Sequence, residues 1–171
     1  MTPPRTSELR PVTRLLIFVF TAVLGIETGA GLFTTAAVFP VWAASPESVT
    51  GWVESNPFYI EEGDFFMFAS PTLALLSIAT LIAGWRLASP LRFWLRLSTI
   101  IFIVMFVWSV AYFIPVQDVM KGEAGTKLPK AELGSMLRNF VWLNYVRQLS
   151  LVVALGAALH ALGLSYRRVS T

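Results

Sequence analysis

Leu15-Leu16-Ile17-Phe18-Val19-Phe20-Thr21-Ala22-Val23-Leu24-Gly25-Ile26-Glu27-Thr28-Gly29-Ala30-Gly31-Leu32-Phe33-Thr34-Thr35-Ala36-Ala37-Val38-Phe39-Pro40 is an apolar run with one full charge, Glu27. A membrane-crossing helix needs roughly 20 such residues. A charge at that depth costs about 3 kcal/mol or more, so it faces the protein interior with a partner or a task. The run therefore sets the class of fold and marks a place to look for function.

Working outward, three more segments qualify as spans: about Phe65–Trp85, Phe93–Ile114 and Leu137–Leu162, with Gly163 expected to stop the last helix. Ser70-Pro71 is expected to kink the second. Of the 171 residues, 56% are hydrophobic and 13% charged, with a mean hydropathy of +0.67. Soluble domains carry about 25% charged residues. The reading is all-α, a single domain forming an integral membrane bundle of four transmembrane helices with a short extramembrane helical cap. The N-terminal segment is expected to stay as the first span, being too long for a signal-peptide core.

Charge distribution orients the bundle. Arg5, Arg10 and Arg14 precede the first span, Arg86, Arg92 and Arg96 lie between the second and third, and Arg167 and Arg168 follow the fourth. The segment Ala43–Asp64 has no Lys or Arg and five acidic residues. Both termini are expected in the cytoplasm and the protein in the inner (plasma) membrane. Trp42, Trp142, Trp85 and Trp94 suit an aromatic belt. The basic residues follow topology and give no nucleic-acid signal; the partners expected are the lipid bilayer and a small hydrophobic molecule, with a homo-oligomer left open.

On the far side from the termini, Pro46–Glu54 is expected to form a short helix capped by Ser45. The third helix is expected to continue through Pro115–Lys121 until Gly122, and a new helix to start at Pro129 and run into span four. Glu61, Glu62 and Asp64 suit the N-terminus of span two.

Polar residues within the spans narrow the search. Gly25 and Gly29 form a small-residue pair that lets a second helix approach closely. Glu27 lies about 200° round the helix from them, at 3.6 residues per turn, on a face with Phe20, Val23, Gly31 and Thr34. In span four, Phe140, Asn144, Arg147 and Gln148 share one face, expensive in lipid and so expected to point inward. Arg147 is a fixed cation; Glu27 can titrate and serve as a base or proton carrier. At about 1.5 Å per residue both sit roughly 20 Å from the cytoplasmic ends of their helices. Either a direct ion pair or a cavity between them fits that match. A polar network that merely fixes helix register is the competing structural reading.

Trp108, Tyr112 and Pro115 share a face of span three, with Tyr112 placed to donate into the same cavity; an aromatic row at this spacing is otherwise core. His160, the single histidine, lies near the cytoplasmic end and reads as interfacial rather than as a metal or haem ligand. With no cysteine and no His/Asp/Glu constellation, no metal site and no cofactor are expected. Haem stays open, to be tested by a Soret band.

Gly25-Ile26-Glu27-Thr28-Gly29, Phe39-Pro40-Val41-Trp42 with Ala44-Ser45-Pro46, Tyr112-Phe113-Ile114-Pro115, and Trp142-Leu143-Asn144-Tyr145-Val146-Arg147 together resemble the small four-helix membrane proteins grouped as anthrone-oxygenase-like. The resemblance covers most of the chain in order and spacing. It implies a four-helix membrane bundle and, by analogy with fungal members, oxidation of anthrones to anthraquinones without an evident metal or flavin motif. Most bacterial members have no assigned activity. Carried onto this chain, Glu27 is the expected base, with Asn144 and Arg147 stabilising an oxyanion; Gln148, Tyr112, Trp108, Phe140 and Thr34 are expected to bind substrate. A proton-coupled transporter or binding protein, and a non-catalytic accessory subunit, are the alternatives.

Overall fold

A computed structural model describes residues 9–44, 62–122, 125 and 127–167. The described residues are helical, with no strand. Helix α1 runs Pro11–Phe33, continues through a π-helical turn at Thr34–Val38 and ends as Phe39–Ala44. Helix α2 spans Glu62–Ala83. Helix α3 spans Ser89–Trp108, passes a second π turn at Ser109–Phe113 and ends as Ile114–Lys121. Helix α4 spans Lys130–Tyr166. All four are long and apolar enough to cross a membrane.

The helix starts follow from local chemistry. Pro11 and Pro90 occupy first-turn positions, where the N–H that proline lacks would have no intrahelical partner. Pro129 precedes α4, with Glu132 in the first turn where an acid favours the helix dipole. Gly122, with extended backbone, ends α3 as expected.

Three expectations need correction. Gly163 does not stop α4, which runs on to Tyr166. Trp85 lies in the turn after α2, not in the helix. Trp42 is 1% exposed and is no belt residue: it packs against Phe39 with ring centroids 5.2 Å apart, and Lys121 Nζ lies 5.3 Å from its ring. The helix proposed for Pro46–Glu54 lies outside the described residues, as do Ser45 and Glu61.

The helices form a ring in which α1 packs on α2 and α4, and α3 on α2 and α4. Its core is three apolar layers. Ile17, Leu91, Leu95 and Ala161 form the layer nearest the termini, here called proximal. Phe20, Leu24, Leu73, Phe102, Leu151, Ala154 and Ala158 form the middle. Phe39, Trp42, Phe113, Met120, Leu137 and Phe140 form the distal layer. Buried alanines at 154, 157, 158 and 161 let neighbouring backbones approach α4 closely. Gly25 meets only the Leu155 side chain, and nothing lies within 4 Å of where a Cβ on Gly29 would be, so that pair is not the closest helix contact. At Gly31 a Cβ would collide with the Gln148 amide of α4.

Large apolar side chains such as Phe68, Leu75, Ile82 and Leu149 cover the outside. That pattern suits lipid and would be an aggregation liability in water. Three buried hydroxyls return their protons to the preceding turn, Thr21 to the Ile17 carbonyl (2.8 Å), Ser77 to Leu73 (2.8 Å) and Thr99 to Leu95 (2.9 Å).

Candidate functional site

A cavity of about 380 Å³ opens in the distal half of the ring, within the size range of small-molecule pockets. Glu27, Thr34 and Phe39 line it from α1; Ser70, Phe66, Met67 and Pro71 from α2. From α3 come Phe102, Met105, Phe106, Ser109, Val110 and Phe113, and from α4 Phe140, Asn144, Arg147, Gln148 and Leu151. Asp64, Gln117, Asp118 and Lys121 form a polar rim at its distal end.

Glu27 is 6% exposed. Ser70 Oγ donates to its Oε1 at 2.8 Å. Its Oε2 is buried and has no hydrogen-bond partner. A carboxylate offers about four acceptor positions, so this oxygen can take a proton or a donor from whatever fills the cavity.

Arg147 is seated differently. Its Nη1 donates to Ser109 Oγ at 3.1 Å, and Ser109 Oγ donates in turn to the Met105 carbonyl at 2.8 Å. The hydroxyl thereby spends its proton on backbone and keeps lone pairs for the cation. The guanidinium also lies over the Phe113 ring, 4.7 Å from its centroid. No hydrogen bond or ion pair joins Glu27 to Arg147 directly; the cavity separates them. Of the two arrangements that matching depth allowed, the structure has the cavity.

Two amides complete the polar wall. Asn144 Nδ2 donates to the Phe140 carbonyl at 3.0 Å, while its Oδ1 has no partner. Both amide atoms of Gln148 are buried without a partner. Unmet buried polar atoms cost about 1–3 kcal/mol each. Glu27, Asn144 and Gln148, each with such an atom, all line this cavity, where a ligand with donors and acceptors would meet them after a small turn of each side chain.

Two π turns shape the wall, and prolines explain both. Thr34–Val38 stands two residues before Pro40, and Ser109–Phe113 two residues before Pro115. A proline ring clashes with the carbonyl four residues back, here Ala36 and Ala111. Widening the turn relieves the clash, and the N–H groups of Phe39 and Ile114 reach back to the Thr34 and Ser109 carbonyls. Each turn begins with a cavity residue.

Of the residues singled out in the sequence, Glu27, Thr34, Phe140, Asn144, Arg147 and Gln148 all line this cavity. Trp108 and Tyr112 do not; they pack beside the distal layer, Trp108 against Phe113 at 5.2 Å and Tyr112 against Phe113 at 5.2 Å. The cavity face of α3 runs Phe102, Phe106, Ser109 and Phe113, at ordinary helical spacing, and Trp108 and Tyr112 each stand one position off it. Sequence reasoning missed Ser70 and Ser109, the partners of both charges. His160 is exposed at the proximal end, its ring 4.7 Å from Trp94. Among the described residues no group of three His, Cys, Asp or Glu is placed to hold a metal. Comparison with protein-family models, curated proteins and solved structures finds no match.

Proposed function

We propose that the chain is a membrane-embedded enzyme that removes a proton from an acidic C–H of a small, apolar aromatic ketone and lets the enolate react with dioxygen. The observation that carries this reading is Glu27, a buried carboxylate with one unpartnered oxygen, on the wall of a cavity whose neighbouring wall holds Arg147 and two amides. The resemblance to anthrone-oxygenase-like proteins points the same way. On this reading the Arg-rich ends face the cytoplasm.

Glu27 Oε2 takes the first C–H proton, and the electron pair moves onto the ketone oxygen. Arg147 and the Gln148 amide stabilise that oxyanion, which forms only as the proton leaves and so favours the transition state. Dioxygen, the co-reactant, takes the electrons and forms a C–O bond, and its outer oxygen accepts the proton back from Glu27. Removal of the second C–H proton breaks the O–O bond and leaves the new ketone and water. A methylene and dioxygen thus become a carbonyl and water, with Glu27 restored.

The test uses purified protein in liposomes and a hydroxylated anthrone, following oxygen uptake and quinone absorbance. Glu27→Gln is expected to slow turnover about 10²–10⁴-fold, the usual contribution of a positioned base. Arg147→Ala is expected to slow it about 10²–10³-fold, as for loss of an oxyanion donor. Normally folded variants that keep full turnover would sink the reading and leave the cluster as packing.

A further inference from the structure

The distal apolar layer draws on α1, α3 and α4 and, among the described residues, contains nothing from α2. Helix α2 joins the core only after Pro71, through Leu73, Ala74 and Leu76 in the middle layer. Before Pro71, its Met67 and Phe68 are 66% and 75% exposed. Met67 nevertheless lines the cavity, and so do Val110 and Ile114 on α3, themselves 49% and 50% exposed. Side chains that belong at once to the cavity wall and to the outer apolar surface mark where the cavity reaches that surface. It does so in a slot between α2 and α3, bounded by Met67 on one side and Val110 and Ile114 on the other.

We propose that this slot is a lateral portal, through which an uncharged, membrane-dissolved molecule bearing a carbonyl or hydroxyl passes between the bilayer and the polar cluster without entering water. Three features argue for that occupant. The slot edges are apolar, so a molecule dissolved in lipid loses nothing in crossing them. Methionine at one edge is unbranched and adapts its shape to what passes. Behind the edges the cavity wall includes Asn144 and Gln148, buried with amide atoms that have no partner, so a small turn of either side chain gives an entering molecule with a carbonyl or hydroxyl hydrogen bonds it could not find in lipid. The competing route is from water over the rim of Asp64, Asp118 and Lys121, where the two exposed carboxylates offer an apolar molecule little. The portal rests on the cavity and its walls, not on the chemistry proposed for Glu27.

The chain has no cysteine, so Met67→Cys combined with Val110→Cys carries only those two thiols. The protein in liposomes is photolabelled with an apolar aryl diazirine, with and without a short bis-maleimide bridging the pair, and labelled residues are mapped by mass spectrometry. Unbridged protein should be labelled at Phe102 or Phe106. The bridge should cut that labelling at least fivefold while leaving lipid-facing Leu75 and Val152 unchanged. Val110→Trp, which fills the slot with no reagent, should give the same loss. The proposal is overturned if the cavity residues are never labelled, if bridging and Val110→Trp both leave labelling unchanged, or if a water-soluble anionic diazirine labels them equally well. The probe has no acidic C–H, so Glu27→Gln should leave labelling intact even where it abolishes turnover.

Discussion

At the scale of single residues, two serines decide how the charges are held. Ser70 gives its proton to Glu27, while Ser109 gives its proton to a carbonyl and accepts from Arg147. A hydroxyl serves an anion or a cation depending on where its own proton goes. Hydrogen bonds to charged groups contribute about 1.5–3 kcal/mol. Ser109→Ala is therefore expected to weaken ligand binding about tenfold or more, measured by titration in detergent, with modest change in thermal stability. Binding that stays at the wild-type value would show that Phe113 alone holds the guanidinium. Gly31→Ala tests the other wall: the added Cβ must displace the Gln148 amide, so ligand affinity should fall more than stability does. Glu27, Asn144, Arg147 and Gln148 were legible in the sequence because a charge or an amide in an apolar helix is costly and therefore conspicuous. Ser70 and Ser109 were not. Serines in such helices commonly bond their own preceding turn, as Ser77 does, and nothing in the sequence separates Ser77 from Ser70.

At the scale of elements, hydropathy located four helices but not their ends, because it reports the stretch that suits lipid rather than the length of the helix. The distal extensions, Ile114–Lys121 and the first turns of α4, were legible from Gly122 and Pro129 instead, and packing holds them, with Met120 and Leu137 buried in the distal layer. Trp108 and Tyr112 stand one position off the row Phe102, Phe106, Ser109 and Phe113 that lines the cavity, and hydropathy gives no sign of the π turn at Ser109–Phe113 that ends that row. Pro115 is the cause that could have been read. Removing it should let the turn revert to α-helix and shift Phe113, at the far end of the turn, relative to Arg147. Pro115→Ala is expected to hold or raise thermal stability, since a helix-interior proline is unfavourable by about 3 kcal/mol, while lowering ligand affinity. A variant with unchanged affinity would show that neighbouring helices, not the proline, impose the turn.

At the scale of the molecule, the two halves of the bundle do different work. The proximal half is closed: Ile17, Leu91, Leu95 and Ala161 fill it, and arginines ring its end with their guanidinium groups on aromatic faces, Arg96 over Trp85 at 4.4 Å and Arg14 over Tyr166 at 5.1 Å. Such pairs suit headgroup depth, where an apolar ring and a solvated cation are both at home. The distal half holds the cavity, with an acidic and basic rim. The orientation proposed above, with the Arg-rich end in the cytoplasm, can be measured, again because the chain has no native cysteine. A thiol at Ser89, in the first turn of α3, should react with a membrane-impermeant maleimide only from the cytoplasmic side, and one at exposed Glu132, at the start of α4, only from the other. Labelling of both from one side would mean that α3 and α4 do not cross as drawn. Labelling of each from the opposite side would invert the bundle, placing the cavity toward the cytoplasm and its slot in the inner leaflet, where any substrate would then have to be supplied.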